Sequence, residues 1–144
     1  MMITSAEEFK RYVESEIEDE NAKAFDPAPD DVWFDVLLKY PELSRDVVFN
    51  HTISVDVLER LCLCDDMHVR WEIAIKRRIN RAIFEQLARD KSIIIRHRIA
   101  CNPKAPEDIL VQLAGDEDPI VSEAARKRIG FKATGLKTRG DGPL

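Results

Sequence analysis

The residues of this 144-residue chain best suited to soft-metal ligation or nucleophilic chemistry are three cysteines and three histidines. Cys62, Cys64 and Cys101 with His68 and His97 form the combination that would suit zinc. Their spacing argues against a shared ion, because on a helix Cys62 and Cys64 point about 200° apart. Paired carboxylates, which serve general acid–base catalysis, stand at Asp30-Asp31, Asp65-Asp66 and Glu117-Asp118. Each pair falls where a helix is predicted to begin, and there the helix dipole and capping account for acidic residues. No glycine-rich phosphate loop, nucleophile elbow, His-Glu-x-x-His pair or Cys-x-x-Cys motif occurs. The expectation is a protein that is not an enzyme, with no cofactor and no metal site.

Basic side chains form a more organised set. Arg70 and Arg96 lie 26 residues apart, and Arg126 falls one helical turn beyond the next step of that spacing. Lys76-Arg77-Arg78 make a basic corner between them, and Trp71 and His97 follow Arg70 and Arg96 directly. An accessible tryptophan beside arginine has the composition of an interface hot spot. Two readings of this ladder stand side by side. The arginines brace neighbouring helix ends and pair with Asp90 or Asp116, or they line a face that a partner touches. For Trp71 the alternatives are an exposed anchor and a ring partly covered by the long corner side chains.

Charge and composition narrow the classes. Apolar residues make up 44% of the chain and charged residues 34%, as in a folded domain rather than a disordered one. Four of the five glycines (Gly130, Gly135, Gly140, Gly142) lie in the last fifteen positions, so the glycine-poor body disfavours an all-β fold. No window approaches the ~18 consecutive apolar residues of a membrane span. The first residues are acidic and show no charged segment followed by an apolar stretch, and the odd cysteine number offers no disulfide framework; a cytoplasmic location is expected. The net charge of −5 hides a strong asymmetry. Residues 1–47 carry thirteen acids and five bases, whereas residues 48–101 carry seven acids and ten bases. That asymmetry also admits self-association through opposite ends.

The elements that position these residues repeat with a period of 26. Leu61, Leu87 and Leu113 fall in register, as do Val69, Ile95 and Val121, then Ile73, Ile99 and Ala125, with Val57, Ile83 and Ile109 at the start. A divergent copy, one residue shorter, precedes them, with Val32, Trp33 and Val36 in its first half and Leu43 and Val47 in its second. Each copy splits into two short helices. Apolar positions at i, i+1, i+4 and i+5 make one stripe of the first, and Asp66, Ser92 and Asp118 stand as N-caps of the second. Trp33 shares the stripe position of Leu58, Phe84 and Leu110 and is expected in the core, and Cys62 occupies a small core position. Helices this short need neighbours to cover their stripes.

The segment from Asn102-Pro103 through Pro106-Glu107-Asp108-Ile109-Leu110 to Leu113-Ala114 and Asp116, with Val121 and Ala125 behind it, resembles the leucine-rich repeat variant and short HEAT-like repeats of bacterial proteins. The copy from Arg78 to Ala100 keeps most of that pattern but has Lys76-Arg77 at the corner, and the copy from Asn50 keeps the asparagine with His51 for proline. The resemblance implies an all-α fold: an α-solenoid of about four two-helix repeats, with second helices lining its concave face. The expected organisation is an N-terminal helix and linker over residues 1–28, repeats over 29–130 and a flexible tail over 131–144. Ser5-Ala6-Glu7-Glu8 reads as a capping box that starts a helix over residues 5–18, able to cap the first repeat. Arg139-Gly140-Asp141 in the tail spells an adhesion tripeptide that chance composition explains.

Such repeats chiefly supply surfaces. The function expected is a non-enzymatic protein-interaction module, an adaptor, antitoxin or immunity-like scaffold. Its candidate binding residues are Arg70, Trp71, Lys76, Arg77, Arg78, Arg96, His97 and Arg126. The acidic leading segment would complement a basic protein partner. The alternative is a nucleic-acid-binding helical-repeat protein in the style of the helical-repeat DNA glycosylases, against which the overall acidity weighs. No membrane partner is expected.

Overall fold

The computed structural model describes residues 2–76 and 78–134. They are all-helical: no β-strand occurs among them. The chain divides into two compact units, Met1–Ile73 and Ala74–Leu144. No described helix is long and apolar enough to cross a membrane.

The first unit begins with α1 (Ala6–Glu14), whose Ser5 cap accepts a hydrogen bond from the Glu8 backbone N–H at 3.0 Å. Glu8 reaches back past the cap, taking the N–H of Thr4 at 2.8 Å instead of that of Ser5. The helix ends earlier than its apolar spacing predicts. Ser15 turns extended (φ −72°, ψ 139°) and its hydroxyl accepts the Ile17 N–H at 3.0 Å, which breaks the run to residue 18. A short α2 (Glu18–Asn21) follows, and the Asn21 amide donates to the carbonyls of Tyr12 and Val13 at 3.0 and 3.2 Å, covering orphan acceptors at the end of α1. α1 packs on α3 (Asp30–Lys39), with the Phe9 ring edge-on to Trp33 at 5.0 Å between centroids. Both rings are fully buried, so the N-terminal helix covers the apolar side of the first copy. α4 (Ser44–Val48) and α5 (Val55–Leu61) complete the unit, with α6 (Met67–Ala74) ending at the division.

The second unit contains α7 (Arg81–Leu87), α8 (Ile93–Cys101), α9 (Glu107–Ala114) and α10 (Pro119–Thr134), with α10 packed on both α8 and α9. The period of the sequence is also the period of the helix starts. First helices begin at Val55, Arg81 and Glu107, and second helices at Met67, Ile93 and Pro119. The stripe residues go where the spacing sends them: Val57, Ile83 and Ile109, Leu61, Leu87 and Leu113, Val69, Ile95 and Val121, and Ile73, Ile99 and Ala125 are all buried. Burying each valine, leucine or isoleucine among them contributes about 1.5–3 kcal/mol, which helices of seven to nine residues such as α5 to α9 lack on their own.

The caps vary. Asp66 accepts the His68 N–H at 2.9 Å and Asp118 the Ile120 N–H at 2.9 Å, whereas the Ser92 side chain makes no capping bond, and its backbone N–H goes to Asp90 at 2.9 Å. The segment predicted as a linker is tied down: a 3-10 turn spans Ala22–Phe25, and the Pro27 carbonyl accepts the Ile3 N–H at 2.8 Å. At the other end α10 continues through Thr134, four residues into the segment read as tail. The adhesion-like tripeptide at residues 139–141 lies outside the described residues.

Candidate functional site

Within each unit, polar side chains of the repeat fasten one copy to the copy before it. The Asn50 amide donates to the carbonyls of Ala24 and Asp26 at 3.0 and 2.9 Å, while its own oxygen accepts the Thr52 N–H at 2.9 Å. Fifty-two residues later Asn102 repeats the pattern, donating to Ala74 and Lys76 at 2.9 Å each and accepting the Lys104 N–H at 2.9 Å. Both asparagines are buried, and an amide is the shortest group that offers two donors and an acceptor at once. One period further on, Arg128 donates Nη1 to the carbonyls of Ala100 and Asn102 at 2.9 and 3.0 Å. An arginine thus performs the donor half of the asparagine's task.

The arginine ladder has a similar explanation. The equivalent second-helix position is Ser44, Arg70, Arg96 and Ser122 in successive copies. Both serine hydroxyls donate to the carbonyl three residues back, Pro41 at 2.7 Å and Pro119 at 3.4 Å. Both arginines donate Nη1 to the carbonyl six residues back, Cys64 at 2.8 Å and Asp90 at 2.7 Å. Arg70 is only 5% exposed. Arg96 also forks onto Asp116 of the next copy, Nε to Oδ2 at 2.8 Å and Nη2 to Oδ1 at 3.3 Å. Burial works to raise the Asp116 carboxyl, but hydrogen bonds from Arg96 and the Asp118 N–H, with the guanidinium charge, hold it below its ordinary value.

The remaining candidates are placed as follows. Trp71, Lys76 and His97 are half-buried, Arg78 and Arg126 are exposed, and Arg77 lies outside the described residues. Arg126 donates Nε to the Ala114 carbonyl at 3.1 Å. His97 Nε2 stands 3.6 Å from the Cys101 sulfur one turn along α8. Cys62 is buried with its thiol on the Glu59 carbonyl at 3.0 Å, Cys64 is half-buried and Cys101 exposed. Arg70 and Trp71 belong to the first unit, and the other described candidates to the second. Among the described residues no three His, Cys, Asp or Glu side chains converge on a point that would hold a metal ion.

Sequence reasoning passed over the apolar surface of the first unit. Leu38 is 72% exposed and Leu63 64%, and each borders an open groove. The signal available was Leu37 and Leu63, 26 residues apart and just outside the stripe positions. The unit division sharpens the charge asymmetry as well. Residues 1–73 hold 18 acids and 7 bases, net −11, and residues 74–144 hold 9 acids and 15 bases, net +6. Comparison with protein-family models, curated proteins and solved structures finds no match to the chain.

Proposed function

We propose that the chain is a non-enzymatic protein-interaction module of the α-solenoid type, built from about four two-helix copies. It acts as an adaptor or as an antitoxin- or immunity-like scaffold for a protein partner. One observation carries this reading: the regularly placed polar side chains of the repeats are spent on holding helices together, while large apolar side chains such as Leu38, Leu63, Val111 and Ile120 stand exposed. Exposed apolar side chains gathered beside charge mark interaction surfaces. In this reading Arg70 and Arg96 are braces. Arg78 and Arg126, with Trp71, Lys76, His97 and Arg77, make up the contact residues on the corner and second helices. The test is co-purification on the immobilised full chain, identification of the retained protein, and titration of the two purified components across ionic strength. Saturable binding that weakens as salt rises is the expected result. Failure to retain any protein at about 0.15 M salt tells against the reading.

The net charge of +6 on the second unit favours one alternative, binding of nucleic acid through that unit. A mobility shift with mixed-sequence duplex at low salt decides it, and no retardation at micromolar protein removes it.

A further inference from the structure

The asparagine corner is built once in each unit, and the two corners carry opposite charge. In the first unit the Asn50 amide holds the carbonyls of Ala24 and Asp26 at 3.0 and 2.9 Å, and Phe25, bracketed between them, stands 58% exposed. In the second, Asn102 holds those of Ala74 and Lys76 at 2.9 Å each, and Ile75 stands in the same place, 36% exposed. Residues 24–31 and 50–56, which form the first corner, contain Asp26, Asp30, Asp31 and Asp56 and no lysine or arginine, net −4. Residues 74–81 and 102–108, which form the second, contain Lys76, Arg77, Arg78, Arg81 and Lys104 against Glu107 and Asp108. Arg128, its Nη1 3.0 Å from the Asn102 carbonyl oxygen, brings that corner to net +4. Local pairing does not erase the contrast. Arg81 is matched by Asp108, which leaves the other five bases against Glu107. Asp30 accepts the Ser54 hydroxyl at 2.8 Å and keeps its charge, and among the described residues no lysine or arginine forms an ion pair with any of the four aspartates. Lys23 lies over the Tyr12 ring and Arg60 stands beside Asp31; with both counted in, the first corner is still net −2.

Resting on the reading of the basic corner as a contact surface, we infer that its occupant is the Phe25 corner of a second copy of this chain. Phe25 meets Ile75, and the aspartates around the first meet the lysines and arginines around the second. The result is an apolar centre inside a charged rim. Because both corners share one backbone design, the two apolar side chains stand at matching places in their rings of charge. Corners of like sign repel, so the contact runs from the first unit of one copy to the second unit of the next. A nucleic acid would satisfy the bases but leave Ile75 without an apolar partner, and would carry its phosphates toward a chain whose other unit is net −11.

The test is sedimentation of the nuclease-treated full chain over a wide range of concentration at about 0.15 M salt. There a Debye length of about 8 Å screens the repulsion from the overall charge of −5 but not the charges in contact. The average mass is expected to rise with concentration, and to rise less at about 1 M salt. Asp26→Lys with Asp56→Lys brings the first corner to zero net charge, and Arg78→Glu with Lys104→Glu does the same for the second. Each double variant should associate at least about tenfold more weakly than the wild type. An equimolar mixture of the two should recover one-to-one pairs, since one variant keeps its basic corner and the other its acidic corner. Phe25→Ser, at an exposed position, should weaken association about tenfold without lowering the melting temperature. A chain of monomer mass at every concentration overturns the inference. So does a mixture that stays monomeric while both variants melt like the wild type, or association undiminished in Phe25→Ser and in both charge variants. Association that appears only when duplex is added makes nucleic acid the occupant and also overturns it. A monomeric chain that still retains a foreign protein overturns this inference alone and leaves the interaction reading standing.

Discussion

Arg96 and Asp116, twenty residues apart in the chain, meet through two parallel hydrogen bonds with side chains only 13% and 9% exposed. Arg96 spends a third donor on the Asp90 carbonyl, so one side chain binds the loop before its own helix and the loop of the following copy. This places it among the structural supports of the second unit.

Truncating it should therefore be costly. Arg96→Ala leaves the largely covered Asp116 without its counter-charge and is expected to destabilise the second unit by about 2–3 kcal/mol, read as a lower urea midpoint. Arg96→Lys should recover little, because an ammonium cannot fork onto a carboxylate while also reaching the Asp90 carbonyl.

The asparagine staples predict an ordered series. Asn102→Ala removes bonds to two carbonyls and one N–H and is expected to cost about 2–3 kcal/mol. Asn102→Asp keeps the acceptor for Lys104 but turns a carboxylate toward the carbonyls of Ala74 and Lys76. At neutral pH it should be worse than alanine, and the gap should close as the carboxyl protonates. Thermal melts of the three proteins at two pH values check the order.

Acid should weaken the fold through named carboxylates. Hydrogen bonding from Arg45 holds Asp66 low, Arg81 does the same for Asp108, and for Asp116 the Arg96 and Asp118 bonds outweigh burial. A carboxyl whose folded pKa is depressed contributes stability in full above its unfolded value, about 3.9 for aspartate, and loses it as pH falls through the folded value. Asp46 runs the other way, because burial raises its carboxyl. Its ionisation opposes folding as pH rises, so Asp46→Asn should hold or raise stability at neutral pH. Melting temperatures from pH 7 to pH 2 should fall in the acid limb, less steeply in Asp116→Asn and more steeply in Asp46→Asn, which loses the carboxyl whose protonation favours the fold.

The thiols should react in the order of their exposure. Cys101 is expected to react first with a disulfide reagent, Cys64 more slowly, and Cys62, 4% exposed, only as the protein unfolds. Cys101→Ser should remove the fast phase alone. Acrylamide should likewise quench half-buried Trp71 and spare Trp33, so that Trp71→Phe leaves a blue-shifted, poorly quenched emission.

The helix pairs were legible because burial along a helix is a local pattern: Val69 with Ile73 and Ile95 with Ile99 declare a buried stripe by spacing alone. Capping at Asp66 and Asp118 was legible for the same reason, since cap and N–H lie two or three residues apart. What escaped were relations across a whole copy. Nothing near Asn50 points to the carbonyls of Ala24 and Asp26, and Arg128 looks like one more surface base until its two acceptors are seen. Arg70 illustrates the cost of reading charge without geometry: the residue type suggests a surface group, yet the side chain is folded onto Cys64. The grooves beside Leu38 and Leu63 depend on how α3 and the loop after α5 are juxtaposed, which no residue pattern encodes.

In the second unit, Asn102 takes the carbonyls of Ala74 and Lys76, and Arg128 takes those of Ala100 and Asn102. Each fastener reads one period back and no further, so no copy needs to know how many precede it. A chain wired in this way can grow or shorten by whole periods of 26 residues while every fastener still finds two acceptors, whereas a gain or loss of 13 would strand them. The length of the protein is thus a variable that duplication can tune separately from the stability of any one copy.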